Sequence, residues 1–226
     1  MAKKILVILT SADKMGDTGK PTGWYLPELA HPYKDLVDAG FVMESISPKG
    51  GKAPVDPGSV EAYKDDPTCQ WFQKDAKAQA LVDNTKTASQ IKPSDYAAVL
   101  YPGGHGPMFD LASDSSIANI TAEVFNKGGV VAAVCHGPAG LVPVQINGQP
   151  IVKGRKITAF SNAEEDAVQL SSSMPFMLET KLIEQGGQFT AAPLWEKHVV
   201  IDGKLVTGQN PNSGEGVGKA IIQLLS

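Results

Sequence analysis

Five consecutive apolar residues, Val130-Val131-Ala132-Ala133-Val134, run directly into Cys135-His136-Gly137-Pro138. A short apolar run behind paired glycines suits a strand buried on both faces of a parallel sheet. Pro138 suits the first turn of a helix, where a missing N–H leaves no partner unsatisfied. A cysteine between such a strand and such a helix sits on a sharp turn at the carboxyl end of the sheet. Open α/β folds bind ligands there. The spacing is that of a nucleophile elbow with Cys in place of Ser, written Ala-x-Cys-x-Gly instead of Gly-x-Ser-x-Gly. Gly137 lets the backbone turn tightly behind the sulfur. The expected helix N-terminus favours thiolate over thiol. The plain alternative is that Cys135 is a buried small hydrophobe beside a sheet.

The rest of the chain reads as strands alternating with helices, the pattern of a doubly wound sheet covered on both faces. Residues 4–10 are a first buried strand. Its five-residue apolar run is too short for the apolar region of a secretory signal. A polar loop follows, then a helix over 24–39 that Gly40 stops. Pro27 fits its first turn, and Pro32 is expected to kink or restart it. Residues 41–47 are a second strand. Residues 48–92 are too long for a plain connection and read as a small helical cap, folded over the site or a partner. Trp71 and Phe72 are its anchors, and Cys69 is incidental. Residues 96–101 are a third strand, and 115–127 a helix. After the Cys135 elbow, Asn147-Gly148 marks a turn, 156–160 a strand and 174–185 a helix. Residues 198–201 and 204–207 form a hairpin around Asp202-Gly203. A terminal helix covers 213–225. No repeat or hinge-like linker interrupts residues 1–226, which read as one domain.

Several residues cluster at the expected carboxyl ends of strands. Glu28 lies in the first turn of the 24–39 helix. It is either an ordinary acid at a helix N-terminus or a carboxyl facing Cys135 with a raised pKa, fit to give and take a proton. Gly103-Gly104-His105 follow the third strand. Such glycines make a tight turn, let backbone N–H groups approach a substrate oxygen, or both. His31 and His105 are expected near Glu28, and two histidines with a carboxylate can hold a metal. His31 precedes a proline and reads better as a helix-packing residue, so no metal is expected. His198 reads as unrelated to the site.

The 226 residues suffice for a full core without staples, and 42% hydrophobic with 19% charged residues is a globular composition. A net charge of −4 argues against a nucleic-acid surface as the main function. No stretch approaches the length of a membrane span. Two widely spaced cysteines argue for a reducing compartment, so a cytoplasmic protein is expected.

Taken together, KILVILTS, GWYLPELAHPY, VLYPGGHGPMFDL, GGVVAAVCHGPAGL, KITAFSNAEEDAV and LVTGQNPNSG resemble the DJ-1/PfpI superfamily. The long insertion and the PELAHPY helix look most like its Hsp31-like branch of glutathione-independent glyoxalases. The resemblance implies a flavodoxin-like α/β sandwich, with Cys135 as nucleophile, His136 as its catalytic neighbour and Glu28 beside the sulfur. It implies an acid orienting the histidine, aligned to Glu165 with Glu164 as the alternative. It implies Gly104 and His136 N–H groups near the adduct oxygen, no cofactor, a small reactive aldehyde as substrate, and a homodimer. A holding chaperone acting on unfolded clients, a cysteine redox sensor, and another hydrolase or hydratase are the competing activities.

Overall fold

The computed structural model describes residues 3–226. In chain order its regular elements are β1 (Lys4–Ile8), α1 (Leu26–Asp38), β2 (Val42–Ile46), α2 (Pro57–Ala62), α3 (Pro67–Lys74), α4 (Ala76–Asp83), β3 (Tyr96–Tyr101), α5 (Ser115–Asn126) and β4 (Val130–Val134). There follow β5 (Gln145–Ile146), β6 (Gln149–Pro150), β7 (Lys156–Ile157), α6 (Asn162–Ala167), α7 (Leu178–Glu184), β8 (Gln188–Phe189), β9 (Val199–Asp202), β10 (Leu205–Gly208) and α8 (Gly214–Leu225). The main sheet has the order β2-β1-β3-β4-β10-β9, parallel except for the edge strand β9. The mostly parallel, doubly wound α/β expectation is met.

Period-two alternation divides the central strands between two cores. Leu6, Ile8, Val99, Tyr101, Val131 and Ala133 face the side covered by α5 and α7. Ile5, Ala98, Leu100, Val130, Ala132 and Val134 face the side covered by α8. Each of these residues has essentially no exposed surface, which explains why the strands read as continuous apolar runs. The order reverses at β1, whose neighbours are β2 and β3. The crevice at the carboxyl ends of β1, β3 and β4 is therefore the topological switch point where ligands are expected.

Four local expectations are corrected. Helix α1 runs unbroken through Pro32. Proline has no N–H to return to the Glu28 carbonyl, but α8 packs so closely that a Cβ on Gly218 would lie 2.9 Å from Pro32 Cα, and this packing holds the helix together. The segment after Cys135 is a five-residue 3-10 turn, Gly137–Leu141, and not an α-helix. The hairpin turns at Gly203-Lys204, because Asp202 still pairs with Leu205. The acidic stretch after residue 160 is itself a helix, α6, closed by a capping box between Ser161 and Glu164.

The insertion is helical, as expected, but it stands mainly beside α1 and β2, not over the crevice. Phe72 and Cys69 are fully buried with Leu29, Tyr33 and Trp24, so apolar burial fixes it to α1. Phe72 meets Trp24 and Tyr33 edge-on. Trp71 is half-buried and stacks at a tilt on Tyr33. Among the described residues no helix is long and apolar enough to cross a membrane.

Candidate active site

Cys135 sits immediately after β4 with φ of 60°, a left-handed conformation rare for a residue with a side chain. Its N–H donates to the Gly208 carbonyl and its carbonyl accepts from the Phe160 N–H, both at 2.9 Å. Bonds from two neighbouring segments thus hold the strained turn in place.

Glu28 is fully buried in the first turn of α1. Its Oε2 accepts the Gly103 N–H at 2.7 Å. Its Oε1 is buried and, among the described residues, finds no partner apart from the Cys135 sulfur. Burial pushes the carboxyl up to about 8, against the opposing hydrogen bonds from Cys135 and Gly103. Burial likewise pushes the Cys135 thiol well up, and negative charge on Glu28 pushes it further. The expectation of a thiolate favoured by a helix N-terminus is therefore corrected: the 3-10 turn is too short for an appreciable dipole, and low-dielectric surroundings dominate. The sulfur and the carboxyl behave as a coupled pair in which a second negative charge is strongly disfavoured.

On the other side of the sulfur, His136 Nδ1 lies 3.4 Å from Sγ. His136 Nε2–H donates to Glu165 Oε2 at 2.6 Å. Burial and the neighbouring His105 hold His136 down, at about 4, so its ring is neutral near pH 7. Burial would raise Glu165, but hydrogen bonds from His105 and His136 outweigh it and hold the carboxyl at about 2. An ionised Glu165 fixes the proton on Nε2 and leaves the Nδ1 lone pair facing the thiol. Glu164, one residue away, is committed elsewhere. It completes the Ser161 capping box and accepts from Asn210 and the Trp195 N–H.

The glycine turn after β3 is used differently from the expectation for Gly103 and His105. The Gly103 N–H is spent on Glu28 and is not offered to a substrate oxygen. A Cβ at Gly103 would lie 2.7 Å from Glu28 Oε2, His136 N and Val134 O, so only glycine fits between the end of β4 and the first turn of α1. Among the described residues the Gly104 and His136 N–H groups donate to no backbone carbonyl, and the His136 N–H is directed at the Cys135 sulfur. His105 Nε2–H donates to Glu165 Oε1 at 2.8 Å and its ring stacks on His136 at 4.1 Å. It supports the acid and is not positioned as an oxyanion donor.

One further expectation changes. His31 lies apart from this cluster, against Asp66 of the α3 cap, so His31, His105 and Glu28 do not converge. His198 is engaged by Thr190, in keeping with its reading as unrelated to the site. The sequence reading passed over Phe160, whose ring stacks on His136 at 4.4 Å. It also passed over Tyr25 and Tyr63, which meet edge-on and are held up in pKa by burial, with smaller contributions from Glu28 and Cys135. Their signal was weak, since single aromatics outside a motif usually report core packing. His105, His136 and Glu165 have the residue types of a metal site, but here the carboxylate bonds both rings directly. A surface groove of about 740 Å³ lies along β2 near Tyr33, Phe41 and Trp71 and contains none of these groups.

The DJ-1/PfpI family profile matches residues 22–224. The chain belongs to the DJ-1/PfpI family. Within it, the chain is 30% identical to Glyoxalase 3 of Candida albicans, with 97% of each chain covered. It is also 30% identical to the glutathione-independent glyoxalase HSP31 of Saccharomyces cerevisiae, covering 99% of this chain and 98% of that one. The solved Rapid Encystment Protein 24 KDa of Francisella tularensis superposes with a TM-score of 0.94 at 36% identity over 99% of both chains. This DJ-1/PfpI member thus shares its full length with those relatives, insertion included.

Proposed function

We propose that this protein is a glutathione-independent glyoxalase that converts methylglyoxal to D-lactate, and glyoxal to glycolate, through a covalent adduct of Cys135. The observation that carries this reading is the juxtaposition of sulfur, a carboxyl group titrating near neutrality, and a neutral histidine held by Glu165. The full-length similarity to named glyoxalases supports it. Such chemistry needs a nucleophile, a proton carrier and a place for a developing oxyanion.

The reacting form of the pair is thiolate beside neutral Glu28. Sulfur adds to the aldehyde carbon, and Glu28 gives its proton to the aldehyde oxygen, forming a hemithioacetal. Bond formation discharges the sulfur, so the resulting Glu28 carboxylate is no longer opposed by a thiolate. It removes the hydrogen on the former aldehyde carbon to give an enediolate, then returns that proton to the neighbouring carbon. The hydroxyl proton passes from the first oxygen to the second, which leaves a thioester. His136 Nδ1 takes a proton from water as it attacks, the C–S bond breaks, and that proton passes to the Glu28–Cys135 pair as the hydroxy acid leaves, which restores thiolate beside neutral Glu28. Oxidation at one carbon balances reduction at the next, so no external oxidant or cofactor enters. Gly104 and His136 N–H groups serve the adduct oxygen, and His105 positions Glu165.

In this reading the enzyme is a carbon–oxygen lyase of the D-lactate dehydratase type, and its working unit is a cytoplasmic homodimer. Both cysteines are free and buried, in keeping with a reducing compartment. The test is D-lactate formation from methylglyoxal without glutathione, comparing wild type with Cys135→Ser. Product from wild type alone is expected. No product from folded, reduced wild type would overturn the assignment and turn attention to chaperone or redox roles.

A further inference from the structure

Outside the Cys135 site, a second group of titratable and nucleophilic side chains converges where the insertion meets α1. His31 Nε2, on α1, lies 3.1 Å from Asp66 Oδ1 and 3.2 Å from Oδ2. Asp66 caps α3, and Cys69 follows in its first turn. One donor atom from each of His31, Asp66 and Cys69 lies within 4.8 Å of the others. The three come from two helices whose packing is fixed by Phe72, Tyr33 and Leu29, so folding of the apolar contact assembles them without further ordering.

The cluster is accessible from one side. His31 and Asp66 side chains are about a quarter exposed, while Cys69 is fully buried beneath them. A cavity of about 220 Å³ adjoins His31 and is lined by Asp35, Glu215, Thr68 and Lys34. Asp35 Oδ2 is buried there without a hydrogen-bond partner among the described residues. Lys34 and Lys219 offset part of the negative charge through Asp38 and Glu215. An ion pair between His31 and Asp66 accounts for two of the three groups. The Cys69 S–H is directed at Asp66 as well, so the sulfur belongs to the same polar cluster, and the buried Asp35 Oδ2 beside it has no hydrogen-bond partner among the described residues.

We propose that His31, Asp66 and Cys69 form a binding site for a divalent metal ion of the zinc class, distinct from the catalytic centre. Imidazole, carboxylate and thiolate are the ligand types zinc prefers, and three protein ligands leave a fourth position for water from the adjoining cavity. Asp66 keeps its cap through Oδ1, which accepts the Cys69 N–H, and offers remaining lone pairs to the ion. Binding replaces the Cys69 S–H proton, which leaves to solvent. The bound ion joins the insertion to α1, the helix that carries Glu28. Its effect is to stabilise that junction by favouring the folded state.

The test uses full-length protein, stripped of metal by a chelator and reduced with a phosphine. Cobalt(II) serves as the optical probe, and zinc competition against a chromophoric chelator gives the affinity. One ion per chain is expected, with a thiolate-to-cobalt charge-transfer band that persists in Cys135→Ser and disappears in Cys69→Ser. His31→Gln, a change on the open side of the cluster, should bind at least about tenfold more weakly. It should also lose the rise in melting temperature that zinc produces in wild type, and it decides the matter if Cys69→Ser fails to fold. Absence of binding to wild type would overturn the proposal. So would a band that follows Cys135 instead of Cys69, or His31→Gln binding as tightly as wild type.

Discussion

At the scale of single residues, the candidate site is governed by desolvation. Glu28 has one hydrogen bond from the backbone and one oxygen turned to the sulfur, and burial brings its carboxyl to about 8. A group titrating near the working pH is suited to give a proton in one step and take one in the next. Glu28→Gln keeps the shape but cannot carry a proton. Its turnover of methylglyoxal should fall by about 100-fold or more. Unchanged kcat would remove Glu28 from the proton path. At this scale the sequence pointed to Cys135, His136 and Glu28 from their motifs, but left Glu164 and Glu165 one residue apart. Only their surroundings separate them. Glu164 satisfies Ser161 and Asn210, whereas Glu165 reaches two histidine rings.

Elements position these groups by close approach. The turn after β4 passes so near β3 that a Cβ on Gly137 would lie 2.2 Å from the Tyr101 carbonyl oxygen. Gly137→Ala must move one backbone segment or the other, and the expected loss is about 3 kcal/mol of stability, read as a lower urea midpoint with an unchanged slope. A midpoint equal to wild type would mean that the turn is looser than this geometry. Strands β1, β3 and β4 were legible because residues buried on both faces leave an unbroken apolar run. The 3-10 turn after Cys135 was not, because Pro138 suits the start of either helix type and the sheet contacts choose between them. Helix α6 escaped notice because its acidic residues resemble a solvated loop until Ser161 is seen to cap them. The cap-like insertion was recognised as helical, but its place beside α1 depended on which apolar surface Phe72 would cover.

The whole molecule carries these local shifts into its pH dependence. His136 is held at about 4 against an ordinary 6.5, and Glu165 at about 2 against 4.5. In both cases the unfolded chain takes up protons first. Their contribution is therefore lost as pH falls, from 6.5 towards 4 for His136 and from 4.5 towards 2 for Glu165. Glu28 has the opposite sign. Its carboxyl is raised from 4.5 to about 8, so the folded protein holds the extra proton and stability declines as pH rises through that window. Between pH 6.5 and 8, above the window of His136, urea midpoints should decline for wild type and stay level for Glu28→Gln. Parallel curves would contradict the raised carboxyl. By itself, the sequence determined the alternation of strands and helices, the family, and the turn that presents Cys135. Apolar periodicity and motif chemistry are local and survive without coordinates. Tertiary structure alone decided which carboxylate meets His136, that Gly103 serves Glu28, that His105 supports Glu165, and that His31 joins Asp66 and Cys69. Those pairings join residues far apart in the chain, and they depend on packing distances that no local pattern encodes.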